Sequence, residues 1–141
     1  MVLEPVFEQD FLHCSYGFRP GRSAHGALKA LWKHLMDADG GWIFDLDIRK
    51  FFDTMSHINL REILASRVCD GVLVRLINKW LKAGVWLKGT IVYSHEGSPQ
   101  GGVISPLLSN IYLHAVLDKW FEEQVKPRMK GAAHTERMRF P

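Results

Sequence analysis

Two aspartates, Asp45 and Asp47, lie two residues apart in the segment GWIFDLDIRKFF, which begins at Gly41. Side chains two residues apart on a β-strand point to the same side of the sheet, so the two carboxylates would project together. Carboxylate oxygens suit Mg²⁺, and metal held in this way can organise phosphoryl transfer. The alternative is a solvated strand face on which the acids pair with Arg49 or Lys50, because a D-x-D pattern alone is a weak motif.

The segment that carries these acids has the alternating pattern of a β-strand. Apolar side chains recur at every second position, at Trp42, Phe44, Leu46 and Ile48. This period of two predicts a strand with one face in a core. The acids would then lie on the other face, although strands are generally poor places for them.

A second candidate segment is the loop SPQGGVISP. Gly101 and Gly102 follow Gln100, and paired glycines allow unusual backbone angles or the close approach of a ligand. The helix predicted after them has Ser105 as its cap and Pro106 at its first position. Helix N-termini favour anions. The alternative for this loop is a tight turn before a helix.

Arg19 and Arg22 lie in the loop GFRPGRS, ahead of another predicted helix. Guanidinium groups bind phosphate well because their N–H donors match its oxygens in pairs. The loop therefore offers a candidate phosphate contact. The alternative is a pair of solvated loop cations.

Helices dominate the elements that must position these residues. Apolar residues at helical spacing predict a helix after Ser23, two shorter helices that include Leu60 and Leu73, and a long helix from about Ser105 to Val125. The segment VWLKGTIVYSHEG predicts a hairpin of short strands. Because the strands are few and unevenly spaced, the expected fold class is α+β and not a regular βαβ repeat.

The composition is that of one globular domain. The chain has 141 residues, of which 47% are hydrophobic and 23% charged, so it is neither disordered nor membranous. A net charge of +3 is compatible with a polyanionic partner without being evidence for one. The first ten residues, MVLEPVFEQD, are acidic and contain no apolar signal core, so we expect a cytoplasmic protein.

Four segments occur in a characteristic order: SYGFRPGRSAHGAL, FDLDIRKFFDTMSH, LINKWLKAGV and GSPQGGVISPLLSNIYLHAVLD. In order and approximate spacing they closely resemble the reverse transcriptase domain of the bacterial group II intron-encoded reverse transcriptase/maturase family. The resemblance runs from about Leu3 to Phe140. It implies a partial right-hand polymerase over residues 1–141, with part of the fingers at 1–40 and part of the palm at 41–141, ending before the Ala-Asp-Asp turn.

The resemblance also implies roles for individual residues. Asp47 matches the first catalytic aspartate of the family and would bind Mg²⁺, with the backbone carbonyl of Ile48 as a further ligand. Phe52 matches the aromatic residue beneath the incoming sugar, where a ring in contact leaves no room for a 2′-hydroxyl. Gln100 and Gly101 match the loop that packs against the nascent base pair and the incoming nucleotide.

The remaining matches are less specific. Arg19 and Arg22 resemble basic residues of the fingers that face the triphosphate or the template. Asp45 and Asp53 recur in the family pattern, and the resemblance gives them no firm role beyond a structural salt bridge or a turn.

The activity implied by the resemblance is RNA-directed DNA synthesis. The 3′-hydroxyl of a primer would attack the α-phosphate of a deoxynucleotide held by two Mg²⁺ ions, and pyrophosphate would leave. The implied partners are an RNA template, a DNA primer, deoxynucleoside triphosphates and group II intron RNA. The alternatives are a non-catalytic, maturase-like remnant that binds RNA and a metal-dependent nuclease, against which the loop at Gln100 argues.

The chain departs from the family pattern near its C-terminus. The two other catalytic aspartates of the family come in a Tyr/Phe-Ala-Asp-Asp turn, whereas the sequence here reads MRFP and no Asp-Asp follows. We therefore expect a fragment that does not polymerise DNA alone, because one aspartate cannot hold two Mg²⁺ ions against their mutual repulsion.

Overall fold

The computed structural model describes residues 2–37, 43–82, 85–87, 90–92 and 104–132. Most of these residues are helical. In chain order the elements are α1 Glu4–Glu8, α2 Ala24–Asp37, α3 Phe51–Thr54, α4 His57–Ala65, α5 Gly71–Lys82, β1 Val85–Leu87, β2 Thr90–Val92, α6 Ser105–Leu113, the π-helical turns π1 His114–Asp118 and π2 Phe121–Val125, and α7 Lys126–Ala132.

Helices α4 and α5 each begin at a side chain that accepts hydrogen bonds from the first free backbone amides. Ahead of α4, Ser56 Oγ accepts a hydrogen bond from the amide of Asn59 at 3.4 Å. Ahead of α5, Asp70 Oδ1 accepts from the amides of Val72 and Leu73 at 2.8 and 3.3 Å. These caps determine where each helix begins, and so which side chains face the core.

One hydrophobic core joins the N-terminal segment to α4, α5 and α6. Leu60 of α4 and Leu108 of α6 are fully buried in it. The buried apolar residues are Leu3, Phe7, Phe11, Met55, Leu60, Leu64, Ile77, Leu81, Leu107, Leu108 and Ile111. This packing fixes α6 at the centre of the described structure.

The long C-terminal helix predicted from about Ser105 is confirmed. The chain is helical from Ser105 to Ala132, with the turns π1 and π2 inserted between α6 and α7. Pro106 lies in the first turn, at the second helical position and not at the first as predicted. The prediction of Ser105 as the cap was wrong, because the helix begins one residue earlier: Ile104 is the cap and Ser105 is a buried helical residue.

The predicted hairpin is also confirmed. Strands β1 and β2 pair antiparallel, with Val85 opposite Val92, Trp86 opposite Ile91 and Leu87 opposite Thr90. Residues 88–89, between the two strands, lie outside the described residues.

The expected strand from Trp42 to Ile48 was wrong, and with it the α+β fold class. Residues 43–48 have no regular secondary structure, and Phe44 is 86% exposed. The regular secondary structure of the described chain is helical except for the hairpin of β1 and β2, whose strands have three residues each. A strand is stabilised by hydrogen bonds to a neighbouring strand. The alternating pattern specified two faces but no partner, and no described segment pairs with 43–48.

Helix α2 has the apolar stripe that its sequence predicted, but the stripe does not enter the core. No residue of α2 is buried, and Leu28, Leu31 and Trp32 are each more than half exposed. None of the helices in the described ranges has both the length and the apolar character needed to cross a bilayer.

Candidate active site

A cavity of about 580 Å³ lies between the aspartate segment and α6. Its walls come from three parts of the chain: the loop residues Gly17 and Phe18, the segment from Leu46 to Phe52, and the helix formed by α6 and π1. We call it the Asp47 cavity. It brings together parts of two segments that the sequence had marked as candidates, although they lie about sixty residues apart in the chain.

Asp47 and Ile48 both line this cavity. Both residues are exposed, so the Asp47 carboxylate is accessible to a ligand. Asp45 does not line the cavity, and Asp47 is its only acid among the described lining residues. The two aspartates of the D-x-D pattern are therefore not equivalent.

Two adjacent aromatic residues continue the same wall. Phe51 and Phe52 begin α3, and their rings meet edge to face with centroids 5.6 Å apart. The Phe51 ring also packs against Tyr112 at 6.1 Å and against the core. Phe52 faces the cavity without being one of the residues packed on the core. Both residues thus line the cavity, but only Phe51 is also packed against the core.

Two residues of the cavity wall have a backbone conformation that is unusual for side chains other than glycine. Phe18 and Lys50 have φ angles of 52° and 54°, and they are the non-glycine residues with positive φ in the described chain. Such conformations cost about 1–2 kcal/mol and persist where the surroundings hold them. Both residues line the Asp47 cavity. Backbone strain in the described chain is therefore concentrated at this site.

Hydrogen bonds hold both strained residues in place. The Lys50 carbonyl accepts from the Thr54 amide and from Thr54 Oγ1, each at 3.0 Å. Asn110 Nδ2 donates to the Gly17 carbonyl at 2.7 Å, which ties the loop beside Phe18 to α6. The second bond spans 93 residues of sequence and closes one side of the cavity.

The α6 wall also contains a buried hydroxyl. Ser109 lines the cavity and is only 5% exposed. Its Oγ has no hydrogen-bond partner among the described residues. A buried polar group left unpaired is costly in free energy. Ser109 is therefore a second feature of this wall that the packing alone does not explain.

Comparison with known protein families identifies the family to which this chain belongs. The family model described as "Reverse transcriptase (RNA-dependent DNA polymerase)" matches residues 1–130. The chain belongs to this reverse transcriptase family. The resemblance found in the sequence motifs is thereby confirmed.

Several curated proteins are similar to the chain. Protein YkfC of Escherichia coli is 39% identical over 140 residues, which cover 97% of this chain and 36% of YkfC. The "Uncharacterized 91 kDa protein in cob intron" of Schizosaccharomyces pombe is 39% identical over 122 residues, covering 86% of this chain and 15% of that protein. The "Group II intron-encoded protein LtrA" of Lactococcus lactis is 40% identical over 120 residues, covering 85% and 20%. The chain thus spans about a third or less of these relatives.

Arg19 does not lie in the Asp47 cavity. Its side chain is buried, and Nη2 forms an ion pair with Glu8 Oε1 at 2.8 Å. Nη1 donates to the carbonyls of Leu12 and Ser15 at 2.7 and 2.8 Å, and the guanidinium lies 5.2 Å from the centre of the Phe11 ring. This arrangement favours a structural role, in which Arg19 joins α1 to the loop before α2.

Arg22 also lies outside the cavity. It donates to the His13 carbonyl at 3.1 Å, and its guanidinium stacks 5.1 Å from the centre of the Tyr16 ring. Gln100 and Gly101, the other predicted nucleotide contacts, lie outside the described residues. The structure therefore brings Asp47, Ile48 and Phe52 together. The nucleotide-binding roles, like the division into fingers and palm near residue 40, stay predictions.

The donors at the cavity fit one Mg²⁺ ion. Mg²⁺ usually takes only one or two protein carboxylates and completes its six positions with water and substrate phosphates. Asp47 supplies an accessible carboxylate, and Ile48 lies exposed beside it. The described residues contain no group of three or more metal-binding side chains. These residues would supply only part of a metal site, with water and substrate phosphates as the remaining ligands.

Sequence reasoning missed Phe18, Lys50 and Asn110 as cavity residues. Phe18 and Asn110 are inside the quoted motifs, but nothing local shows that Asn110 bonds to Gly17, beside Phe18, across 93 residues of sequence. The positive φ of Lys50 had no sequence signal, because glycine and asparagine are the residues that normally indicate it.

Proposed function

We propose that this chain forms part of the active site of an RNA-directed DNA polymerase, with the Asp47 cavity receiving the incoming deoxynucleotide. The observation that carries the proposal is the shared cavity wall of Asp47, Ile48 and Phe52. Membership of the reverse transcriptase family supports the reaction class. The proposed partners are an RNA template, a DNA primer, deoxynucleoside triphosphates and group II intron RNA.

The chain's own residues would bind and orient the nucleotide. The Asp47 carboxylate and the Ile48 carbonyl would hold Mg²⁺, which when bound neutralises the charge on the phosphates that react. Phe52 would contact the sugar and leave no room for a 2′-hydroxyl. Phe51, supported by Tyr112 and the core, would keep the Phe52 ring in position.

The discriminating experiment uses the two aspartates as a matched pair. Asp47→Asn and Asp45→Asn remove the same charge from the same exposed segment, but only Asp47 lines the cavity. We expect Mg²⁺-dependent binding of a fluorescent deoxynucleoside triphosphate to fall at least about tenfold in Asp47→Asn and to change little in Asp45→Asn. Equal loss in both variants would refute the assignment of Asp47.

Primer extension on an RNA template tests the reaction itself. With one cavity acid among the described residues, we expect the 141-residue chain to bind nucleotide without extending a primer. Extension that disappears in Asp47→Asn would show instead that the chain alone completes the metal site. Extension that persists in Asp47→Asn would contradict the proposed catalytic role.

The second candidate function is RNA binding without DNA synthesis. It is favoured by the presence of a single acid, Asp47, among the described residues that line the cavity. RNA binding of this kind would weaken as salt rises, because cations on the protein replace counterions on the phosphates. RNA affinity that is unchanged by Asp47→Asn, together with no Mg²⁺-dependent nucleotide binding, would select this function over the first.

A further inference from the structure

A second cavity, of about 460 Å³, lies against a different face of the long helix. Ser109 and Leu113 of α6 line the Asp47 cavity, whereas Ile111, His114 and Ala115 line the second one. Successive residues of an α-helix turn by about 100°, so Ile111 projects away from Ser109 and Leu113. The helix therefore separates the two cavities. We call the second one the Arg67 cavity.

The floor of the Arg67 cavity is apolar and belongs to the core. Phe7, Phe11 and Ile111 contribute to it, and each is at least 94% buried. His114 forms part of the wall, where its ring meets that of Phe11 edge to face at 5.7 Å. A floor of this kind, packed on the core, favours a flat apolar surface of a ligand over a hydrated ion.

Two cations lie at the same cavity. Arg67 Nη2 donates to Asp10 Oδ1 at 2.7 Å, which uses one of the five N–H donors of the guanidinium. The Arg67 side chain is 42% exposed, and its other donors have no partner in the described chain. Lys119 is exposed, and its ammonium likewise has no partner there. Asp10 is the only acid among the described residues that line the cavity.

The acid next to His114 contacts the imidazole from outside the cavity lining. His114 Nδ1 lies 3.2 Å from Asp118 Oδ2, within the π1 turn, and Asp118 is not a lining residue. This contact orients the ring in the cavity wall. Turns of π-helix inside an α-helix occur frequently at functional sites.

We propose that the Arg67 cavity binds a nucleotide, with its phosphate at Arg67 and Lys119 and its base against the apolar floor. The guanidinium supplies a fork of donors that matches phosphate oxygens, and the lysine supplies a second charge. The volume lies within the usual range of small-molecule sites. The nucleotide is either free or one unit of an RNA strand. The proposal does not depend on DNA synthesis at the Asp47 cavity.

The test measures binding of adenosine 5′-monophosphate to the full chain by calorimetry, in the presence of EDTA. EDTA removes the Mg²⁺ on which nucleotide binding at Asp47 is proposed to depend, so the two sites are distinguished. We expect a Kd of about 1 mM or tighter, weakened about fivefold to tenfold in Lys119→Gln. The matched control is Lys33→Gln, which removes another exposed helical lysine that lines neither cavity.

A second variant tests the floor without changing charge. Ala115→Leu adds apolar volume to the cavity wall while keeping a good helix former. It should weaken binding by a similar factor and leave the circular dichroism spectrum unchanged. Absence of binding by the unmodified chain, or equal loss in Lys33→Gln and Lys119→Gln, would overturn the proposal.

A short oligoadenylate identifies the source of the nucleotide. Tighter binding of the oligomer than of the monophosphate, with the same sensitivity to Lys119→Gln, assigns the site to an RNA strand. Equal or weaker binding of the oligomer assigns it to a free nucleotide. An oligomer whose binding is insensitive to both Lys119→Gln and Ala115→Leu overturns the RNA form of the proposal.

Discussion

The two sides of α6 are built in different ways. The Arg67 cavity has a floor of buried core residues, including Phe7, Phe11 and Ile111. The Asp47 cavity is bounded by an exposed segment in which Leu46 is 59% exposed, and by Phe18, which is 78% exposed. Packing holds the first site, whereas a few hydrogen bonds hold the strained backbone of the second. Stability and ligand binding should therefore respond differently to changes on the two sides.

The largest difference is expected between a core leucine and a leucine of the open segment. Leu60→Ala removes a fully buried side chain and should lower the free energy of unfolding by about 3 kcal/mol, through lost burial and the cavity left behind. Leu46→Ala should change it by less than about 0.5 kcal/mol. Urea unfolding followed by circular dichroism measures both. Similar losses would mean that residues 43–48 are packed in solution, which would remove the contrast.

The next effect concerns the two arginines first considered as phosphate contacts. Arg19→Lys should cost about 2 kcal/mol of unfolding free energy, because an ammonium cannot reproduce the fork to Glu8 and the bonds to two carbonyls. Arg22→Lys loses one bond to a carbonyl and the stacking on Tyr16, and should cost less than about 0.5 kcal/mol. The measurement is again urea unfolding. A stable Arg19→Lys variant with weakened nucleotide binding would restore the predicted role of Arg19.

The adjacent phenylalanines allow the two modes of support to be compared within one cavity. Phe51→Ala should cost about 2 kcal/mol, because its ring packs on Tyr112 and on the core. Phe52→Ala should cost less, and should narrow the preference for deoxyribonucleotides over ribonucleotides in Mg²⁺-dependent binding. Unfolding and competition binding with the two sugar forms measure these effects. The reverse assignment of the two effects would place the sugar contact at Phe51.

The smallest effect is expected at Ser109. Because its buried hydroxyl has no partner in the described chain, Ser109→Ala should leave stability within about 0.5 kcal/mol of the unmodified chain or raise it slightly. Thermal unfolding without nucleotide measures this. A loss of more than about 1 kcal/mol of unfolding free energy would show that the Ser109 hydroxyl is hydrogen-bonded in solution. The buried polar group of this wall would then have a partner, and this contrast between the two sides of α6 would disappear.

Local features of the sequence were enough to predict the helices and the small hairpin. Helices α4 and α5 follow from the spacing of their apolar residues, and the start of α6 follows from Pro106. These signals involve residues that are close in sequence, so the helices can be predicted from neighbouring residues alone. The motifs around Asp47 and Ser105 likewise led to the reverse transcriptase family, which the comparison confirmed. The amino-acid sequence by itself therefore determined the family, the helical elements and the choice of Asp47, which lines the cavity, as the candidate acid.

Only the tertiary structure decided which distant residues meet. The bond from Asn110 to Gly17 spans 93 residues, and no local pattern distinguishes Arg19 as a buried clamp from Arg22 at the surface. The segment 43–48 shows that a local pattern also cannot predict strand pairing. Its alternating apolar residues describe the two faces of a strand, but a strand also needs a neighbouring strand to form its hydrogen bonds. Pairing, burial and the separation of the two cavities by α6 depend on contacts between parts of the chain that are remote in sequence.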